Sequence, residues 1–321
     1  MVEVILRERK PPVLTPSSLP CLRDVATINL TQGCALGCRY CYIQGYSHYP
    51  GESRVILYIN TPEVVEYELR HKRQRPRRVY FSPSSDAFQY LPQVQDVSRR
   101  TMAALLENGV EVAFLTKGFV SHPFFDLFAN HANRVFAQIG ITTLDRELWR
   151  RLEPRTAPPH MRLAAVEALV RLGVATTVRV DPLIPSLTDT DDNLLPLLHS
   201  LSRTGVRDAA ASYLFLRPQF ASLVALQIAP AVPADTGPTR WPYQRFGDGS
   251  GGGQMLPAPE RAMRFARLHA LGEKVGIRVR PCRCKNPELG ADPCGITGPG
   301  FGACSNSRKQ VTFNFGEPSA G

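Results

Sequence analysis

The sequence contains no long hydrophobic run. No apolar stretch approaches the roughly 20 residues that a membrane-spanning helix needs, and residues 1–10 are charged from Glu3 onward and lack the apolar core of a secretion signal. Both absences predict a cytoplasmic protein. In that reducing compartment the eight cysteines are favoured as metal ligands over disulfides. The seven histidines stand at no ligand spacing from one another or from a cysteine pair, so they are expected to be surface or core residues.

Acidic residues are few relative to basic ones: 28 Asp and Glu stand against 38 Lys and Arg, a formal net charge of +10. Such a charge suits a polyanionic partner such as nucleic acid. Much of the excess lies within residues 70–78, which link a predicted helix to the next strand. In a β/α barrel these links lie on the face opposite the active site. The run therefore predicts a solvated loop, with a remote docking surface for nucleic acid as the alternative.

Three cysteines lie within eight residues, at Cys34, Cys38 and Cys41. Thiolates are the soft ligands of iron–sulfur clusters, and a cubane of four irons normally takes four of them. Three cysteines would leave one iron open to bind a substrate or cofactor directly. Gly33 and the glycine between the first two cysteines let the loop bend so that the sulfurs converge. The alternative is a zinc site completed by Cys21.

Strand-like segments alternate with helix-like segments along most of the chain. The predicted strands are residues 25–30, 78–81, 110–115, 135–141, 176–180 and 208–216, and the predicted helices between them are residues 62–71, 94–108, 123–132, 161–172 and 191–201. Such alternation implies a parallel sheet, and six units fit an α/β fold of the partial (β/α)6 TIM-barrel type. Around this region, 25–228, we predict an extended arm over 1–24, a Gly/Pro-rich loop or linker over 229–257, and a helix with a cysteine-rich extension over 258–321.

Polar side chains follow several of the predicted strands. Ser84, Ser85 and Asp86 come after the second strand, Lys117 after the third, and Arg179 lies at the end of the fifth. In a barrel these positions surround the active site, so we expect them to bind the cofactor of the cysteine loop. The alternatives are a turn shaped by the serines and an internal ion pair between Arg179 and the nearby aspartate.

Glu153 follows the fourth predicted strand. A residue there can face the site, and capping of a loop is an equally good interpretation.

The spacing Cys-x3-Cys-x2-Cys, with the aromatic Tyr40 before the last cysteine, resembles the signature of the radical S-adenosylmethionine (SAM) superfamily. The resemblance implies a [4Fe–4S] cluster on Cys34, Cys38 and Cys41 whose open iron is chelated by the methionine end of SAM. It further implies reductive cleavage of SAM to methionine and a 5′-deoxyadenosyl radical, which abstracts a hydrogen atom from the substrate. Such chemistry needs a reductant such as flavodoxin or ferredoxin.

Residues 34–42, together with residues 85–86, 116–117 and 180–185, are similar to the spore photoproduct lyase branch of that superfamily and its photolyase-like relatives. The resemblance implies that Tyr40 contacts the adenine of SAM and that Tyr42 lies beside the site. It also implies that Ser85 and Lys117 bind SAM, with the lysine pairing with the methionine carboxylate.

Ser84 departs from that branch. In spore photoproduct lyase the matching position carries a cysteine that returns a hydrogen atom to the product radical, and the O–H bond of a serine is too strong for this step. Repair of the spore thymine dimer is therefore not expected, and the resemblance informs fold and cofactor but not substrate.

Four further cysteines, Cys282, Cys284, Cys294 and Cys304, lie in the tail. They form a complete ligand set for a second [4Fe–4S] cluster or for a structural zinc. We favour the cluster, because it could relay electrons to the first one. One of these thiols could instead replace the missing hydrogen donor.

The sequence thus predicts a radical SAM enzyme with an unidentified substrate, for which nucleic acid is a candidate. The alternative is a non-catalytic nucleic-acid-binding protein stabilised by zinc or an iron–sulfur cluster.

Overall fold

The computed structural model describes residues 2–17, 22, 24–233, 237, 240–247 and 252–289. Its strands are β1 (Glu3–Arg7), β2 (Thr15–Pro16), β3 (Ala26–Ile28), β4 (Thr31–Gln32), β5 (Arg54–Tyr58), β6 (Arg78–Phe81), β7 (Glu111–Thr116), β8 (Val135–Gly140), β9 (Ala175–Leu183), β10 (Asp208–Tyr213), β11 (Gln244–Phe246), β12 (Gly253–Met255) and β13 (Arg278–Pro281). Its α-helices are α1 (Thr61–His71), α2 (Pro92–Glu107), α3 (His122–Asn130), α4 (Arg146–Leu152), α5 (Pro159–Arg171), α6 (Asp191–Arg203), α7 (Ala221–Ile228) and α8 (Ala258–Glu273).

The centre of the fold is an eight-stranded sheet with the order β13-β10-β9-β8-β7-β6-β3-β2. All neighbouring pairs are parallel except β2 and β3. Each of the six predicted strands overlaps one strand of this sheet, and they stand side by side in chain order, as in a β/α barrel. The prediction of a partial TIM-type barrel is confirmed. A seventh parallel strand, β13, extends the sheet beyond the six predicted units.

The two faces of the sheet carry different side chains. One face packs against the helices through a large apolar core that includes Val79, Val112, Val178 and Val180. The opposite, inner face carries a smaller apolar layer formed by Tyr80, Ala113, Phe136, Ala175 and Ala210. Because side chains alternate along a strand, residues two positions further on share the inner face. Gln138 and Thr177 are paired there in register, and the inner surface becomes polar toward the carboxyl ends of the strands.

The amino-terminal residues, predicted as an extended arm, pair with the rest of the protein. Strand β1 runs parallel to β5 in a three-stranded sheet that also contains β4. The buried carboxylate of Glu68 on α1 accepts hydrogen bonds from the backbone nitrogens of Val13 and Leu14. The arm is thereby fixed to the first helix, and β4 at the far side of this small sheet leads directly into the cysteine loop.

The segment predicted as a loop or linker, 229–257, contains an antiparallel hairpin of β11 and β12 in its described part. Helices α4 and α7 are short elements that the sequence patterns did not predict. None of the helices among the residues given above is long and apolar enough to cross a membrane.

The basic run at 70–78 lies at the amino-terminal end of β6. Its last residue, Arg78, pairs with Glu111 at the start of β7 (2.6 Å), and its guanidinium lies 3.7 Å from the centre of the Phe136 ring. Asp208 and Arg278 pair at 3.0 Å at the same end of β10 and β13. Part of the basic charge therefore closes the end of the sheet opposite the cysteine loop.

Candidate active site

The cysteine loop follows β4 and turns twice on glycines with positive φ, Gly33 (+79°) and Gly37 (+61°). A β-carbon at Gly33 would stand 2.7 Å from a backbone oxygen, so the first turn requires glycine. Burial, followed by the charge of Asp86, raises the pKa of the Cys34 thiol well above its usual value. The charges of Cys38 and Cys41 also act on the pKa of Cys34, and that of Cys41 on Cys38. The three predicted ligands therefore lie close together.

Three thiolates are, by their chemistry, a donor set for a four-iron cluster with one open iron. In the part of the chain that the structure describes, no group of three or more His, Cys, Asp or Glu side chains is placed to hold a single metal ion. That finding concerns single ions, because a four-iron cluster binds each thiolate through a different iron and so accepts more widely spaced ligands.

The loop after β6 holds the cysteine loop in place. The buried amide of Gln89 accepts a hydrogen bond from the backbone nitrogen of Ala35 (2.7 Å) and donates to Thr31 Oγ1 (3.1 Å) and to the carbonyl oxygen of Asp86 (2.9 Å). One uncharged side chain thus joins the metal loop to the loop that carries the predicted serines. Nothing in the sequence pattern distinguished Gln89 from an ordinary loop residue.

Asp86 ties the loops after β6 and β7 together. Its carboxylate accepts hydrogen bonds from Thr116 Oγ1 (2.8 Å) and from the backbone nitrogens of Lys117 (2.9 Å) and Phe88 (2.8 Å). Burial raises the pKa of this carboxyl, although the hydrogen bonds oppose the shift. The geometry shows a junction between two loops, and the predicted contact of Asp86 with SAM remains a prediction.

The two predicted serines have different surroundings. The backbone nitrogen of Ser84 donates to Asn29 Oδ1 (3.0 Å), and its side chain hydrogen bonds to Tyr46. The hydroxyl of Ser85 is buried and has no hydrogen-bond partner among the residues that the structure describes. Since a buried polar atom is rarely left unsatisfied, Ser85 is suited to hold a ligand. Tyr42 lies beside this loop and donates its phenolic hydrogen to the carbonyl oxygen of Pro83.

A buried cluster of charged and polar side chains surrounds Glu153. One carboxylate oxygen, Oε1, accepts a hydrogen bond from Tyr40, lies 2.9 Å from Thr142 Oγ1 and stands 3.4 Å from Lys117 Nζ. The other, Oε2, pairs with Arg162 at 2.6 Å. Burial alone would raise the pKa of Glu153, but the charges of Arg162 and Lys117 outweigh it and lower the pKa to about 2.

Lys117 and Arg179 meet at Asp181. Lys117 Nζ donates to the carbonyl oxygen of Asp181 (2.7 Å), and Arg179 pairs with the Asp181 carboxylate at 2.6 Å. Burial opposes ionisation of that carboxylate, but Lys285 and Arg179 outweigh it and lower its pKa. The ion pair predicted as the alternative for Arg179 is present, and its role in cofactor binding remains a prediction.

Two of the tail cysteines lie near the carboxyl ends of the parallel strands, the end at which the cysteine triplet lies. Cys282 follows β13 directly, is buried, and hydrogen bonds through its side chain to Cys284. That hydrogen bond and the charges of Arg179 and Lys285 lower the pKa of Cys282 against the effect of burial. The other proposed ligands, Cys294 and Cys304, and also Cys21, lie outside the described residues.

This chain is similar to known proteins in sequence. The sequence model described as the radical SAM superfamily matches residues 28–198. An uncharacterized protein of Mycobacterium tuberculosis is 28% identical over 254 residues, which cover 76% of this chain and 73% of the relative. A radical SAM Nalpha-GlyT isomerase of Pseudomonas phage M6 is 25% identical over 189 residues, covering 58% of this chain and 38% of the phage protein.

Solved structures of spore photoproduct lyase share the fold. A variant with bound AdoMet and dinucleoside spore photoproduct matches with a TM-score of 0.65 and 17% identity over 86% of this chain and 81% of that one. The same lyase in complex with the dinucleoside spore photoproduct alone gives a TM-score of 0.62 over the same shares of both chains. At this identity the likeness establishes the architecture.

Proposed function

Because the chain belongs to the radical SAM superfamily, we propose that it cleaves SAM reductively at a [4Fe–4S] cluster on Cys34, Cys38 and Cys41 and abstracts a hydrogen atom from a nucleic-acid base. The observation that carries the proposal is the position of this cysteine triplet. It lies at the carboxyl ends of the parallel strands, beside the buried group of Tyr40, Lys117 and Glu153. The superfamily consists of enzymes, so the alternative of a non-catalytic binding protein is wrong.

The bound cluster and SAM supply the electron transfer and the 5′-deoxyadenosyl radical, and the reductant is a flavodoxin or a ferredoxin. The chain's own residues bind and orient. In our proposal the Ser85 hydroxyl and the Lys117 ammonium hold SAM, Tyr40 lies against the adenine, and Arg179 contributes positive charge nearby. In the same proposal, Tyr42, Ser84 and Asp86 lie around the bound SAM, on loops held together by their hydrogen bonds.

A surface beside Ser84 supports nucleic acid as the substrate class. Tyr46 and His48 lie with ring centres 5.3 Å apart, and the guanidinium of Arg217 is 5.9 Å from the centre of the Tyr46 ring. We call these three residues the aromatic surface. Aromatic rings next to a cation are a surface on which proteins hold unpaired bases, each ring offering a face for stacking. The solved lyase binds a dinucleoside spore photoproduct, which agrees with this substrate class.

The aromatic surface is held rigidly. It follows the 3-10 turn Tyr42–Gly45, where a β-carbon on Gly45 would stand 1.9 Å from the Phe220 ring. The amides of Gln44 and Gln227 hydrogen bond to each other, which joins the turn to α7. A preformed surface of this kind costs little conformational entropy when a base binds.

We also propose that Cys282 and Cys284, with Cys294 and Cys304, hold a second [4Fe–4S] cluster, with zinc as the alternative. The closeness of Cys282 to Arg179 and Lys285 supports an anionic metal–thiolate centre, because the two cations offset its charge.

The proposed cleavage of SAM has a direct test. Protein reconstituted anaerobically with iron and sulfide, then reduced with SAM present, is expected to yield 5′-deoxyadenosine in at least stoichiometric amount over minutes, measured by chromatography and mass spectrometry. Protein that carries the cluster and yet produces none would contradict the proposal.

Binding of single-stranded DNA tests the aromatic surface. We expect Tyr46→Ala to weaken binding of a short oligonucleotide about tenfold in fluorescence anisotropy, because base–aromatic stacking contributes about 1–3 kcal/mol. Tyr67→Ala is the control, since Tyr67 is a tyrosine beside a histidine, His71, with ring centres 4.1 Å apart, and lies exposed on α1. A loss in Tyr67→Ala without one in Tyr46→Ala would place the nucleic acid on α1 and the basic run instead.

A further inference from the structure

Residues 152–162 enclose the proposed SAM pocket from one side. The backbone nitrogen of Arg39, in the cysteine loop, donates to the carbonyl oxygen of Leu152 (2.8 Å), and the nitrogen of Ala157 donates to the carbonyl oxygen of Lys117 (2.9 Å). A β-carbon at Gly37 would stand 2.4 Å from the guanidinium of Arg155. One segment therefore contacts both the metal loop and the lysine proposed to bind SAM.

The two carboxylate oxygens of Glu153 have separate partners. Oε2 faces Arg162, which also donates to the carbonyl oxygen of Gly140 (2.6 Å) and belongs to the supporting structure behind the site. Oε1 contacts Tyr40, Lys117 and Thr142. Glu153 is 0% exposed and Arg162 only 1%. Arg162 supplies the compensating charge at Oε2, and the hydrogen bonds at Oε1 satisfy the other oxygen of the buried carboxylate. Two of the three groups on Oε1, Tyr40 and Lys117, belong to the proposed SAM site, so the same contacts that satisfy Glu153 also fix these two side chains.

The charges leave an excess that matches one carboxylate. Glu153 carries one negative charge, whereas Arg162 and Lys117 carry one positive charge each. Within this group of three, one positive charge is therefore left over, and the 14% exposed Lys117 is placed to offer it to an anionic group.

We propose that Glu153 is a positioning residue for SAM: through Oε1 it fixes the Tyr40 phenol and the Lys117 ammonium, the two groups that hold the adenine and the methionine carboxylate. The inference rests on the proposed function for the identity of the ligand. It assigns a role to a residue that touches neither the cluster nor SAM. Its consequence is that loss of the Glu153 charge weakens SAM binding without removing the cluster.

Two variants separate positioning from stability. Glu153→Gln keeps the shape and removes the charge, and Tyr40→Phe removes only the hydrogen bond to Oε1. The matched control is Glu111→Gln, which removes the charge from a second, partly buried ion pair, that with Arg78, at the far end of the sheet. In reconstituted enzyme, the SAM-induced change in the electron paramagnetic resonance signal of the reduced cluster gives the SAM affinity. The rate of Lys117 acetylation, followed by mass spectrometry without SAM, gives the second measurement.

We expect Glu153→Gln to load iron like the wild type, to bind SAM about 30-fold more weakly and to acetylate Lys117 several-fold faster, since hydrogen bonds to charged groups are stronger than neutral ones. Tyr40→Phe is expected to bind SAM about threefold to tenfold more weakly, and it decides the matter if Glu153→Gln does not fold. The control variant is expected to match the wild type in both measurements.

Wild-type SAM affinity in Tyr40→Phe, or wild-type Lys117 reactivity in folded Glu153→Gln, would overturn the inference. Failure of the proposed function has a different signature: the wild-type cluster itself would show no response to SAM. The acetylation rate then still decides whether Glu153 fixes Lys117.

Discussion

Replacement of Cys38 by serine is expected to abolish production of 5′-deoxyadenosine, a loss of more than about a thousandfold, because removing one member of a catalytic unit disables the whole. A serine hydroxyl is a poor ligand for iron compared with a thiolate. Burial raises the pKa of the Cys38 thiol, and the negative charge of nearby Glu153 is the next largest cause of this shift. Loss of Cys38 therefore removes the metal centre where the proposed SAM pocket begins.

The matched control is Cys282→Ser, which alters a buried cysteine at the same end of the sheet but outside the triplet. Iron analysis is expected to give about eight irons per wild-type chain and about four in each variant, if each site holds a [4Fe–4S] cluster. Zinc in place of the second four irons would identify the tail site as structural. Full activity in Cys38→Ser would contradict the assignment of the catalytic cluster.

Replacement of Arg162 by methionine is expected to destabilise the protein by about 3–5 kcal/mol at neutral pH, because it leaves the Glu153 carboxylate buried with its main counter-charge removed. Both side chains are almost completely shielded from water, so solvent screening does not weaken the pair. Urea unfolding followed by circular dichroism measures the loss. Arg151→Met, which breaks an exposed pair with Glu147, is the control and is expected to change stability little.

The pH dependence of that loss follows from the pKa of Glu153. Its folded-state pKa is lowered to about 2, whereas an unfolded chain has a value of about 4.3. The stabilisation is therefore fully present above the unfolded value and is lost as the pH falls toward 2. In Arg162→Met the carboxyl protonates more readily, so the difference from the wild type is expected to shrink between pH 5 and pH 3. An equal difference in the free energy of unfolding at pH 5 and at pH 3 would contradict this account.

The fold was largely predictable because short sequence patterns indicate most of its strands and helices. Apolar segments such as residues 135–141 read as buried strands, and helix α6 has a clear apolar stripe. Strand β13 was not predicted, since its sequence Arg-Val-Arg-Pro alternates arginines with short apolar residues and its arginines face the interior of the sheet. Only its pairing with β10 makes such a segment a strand.

The site was predictable in part. The cysteine triplet stands out because its members are close in sequence, and the loops after the strands followed from the barrel. The hydrogen bond between Tyr40 and Glu153 joins residues 113 positions apart, and no periodicity indicates such a partner. Arg162 looked like an ordinary residue of an amphipathic helix, and the fold alone places it against Gly140 and Glu153.

The ion pairs Arg78–Glu111 and Asp208–Arg278 lie at one end of the sheet, so substitutions at the other end leave both pairs intact. The residues proposed to bind the cluster and SAM lie in the loops at the other end. Tyr46 and Arg217, which we propose to contact the substrate, take part in neither ion pair, so they can change without disturbing either pair. In a family that acts on many substrates, such a separation lets selection, or an engineer, retarget the radical while the scaffold stays folded.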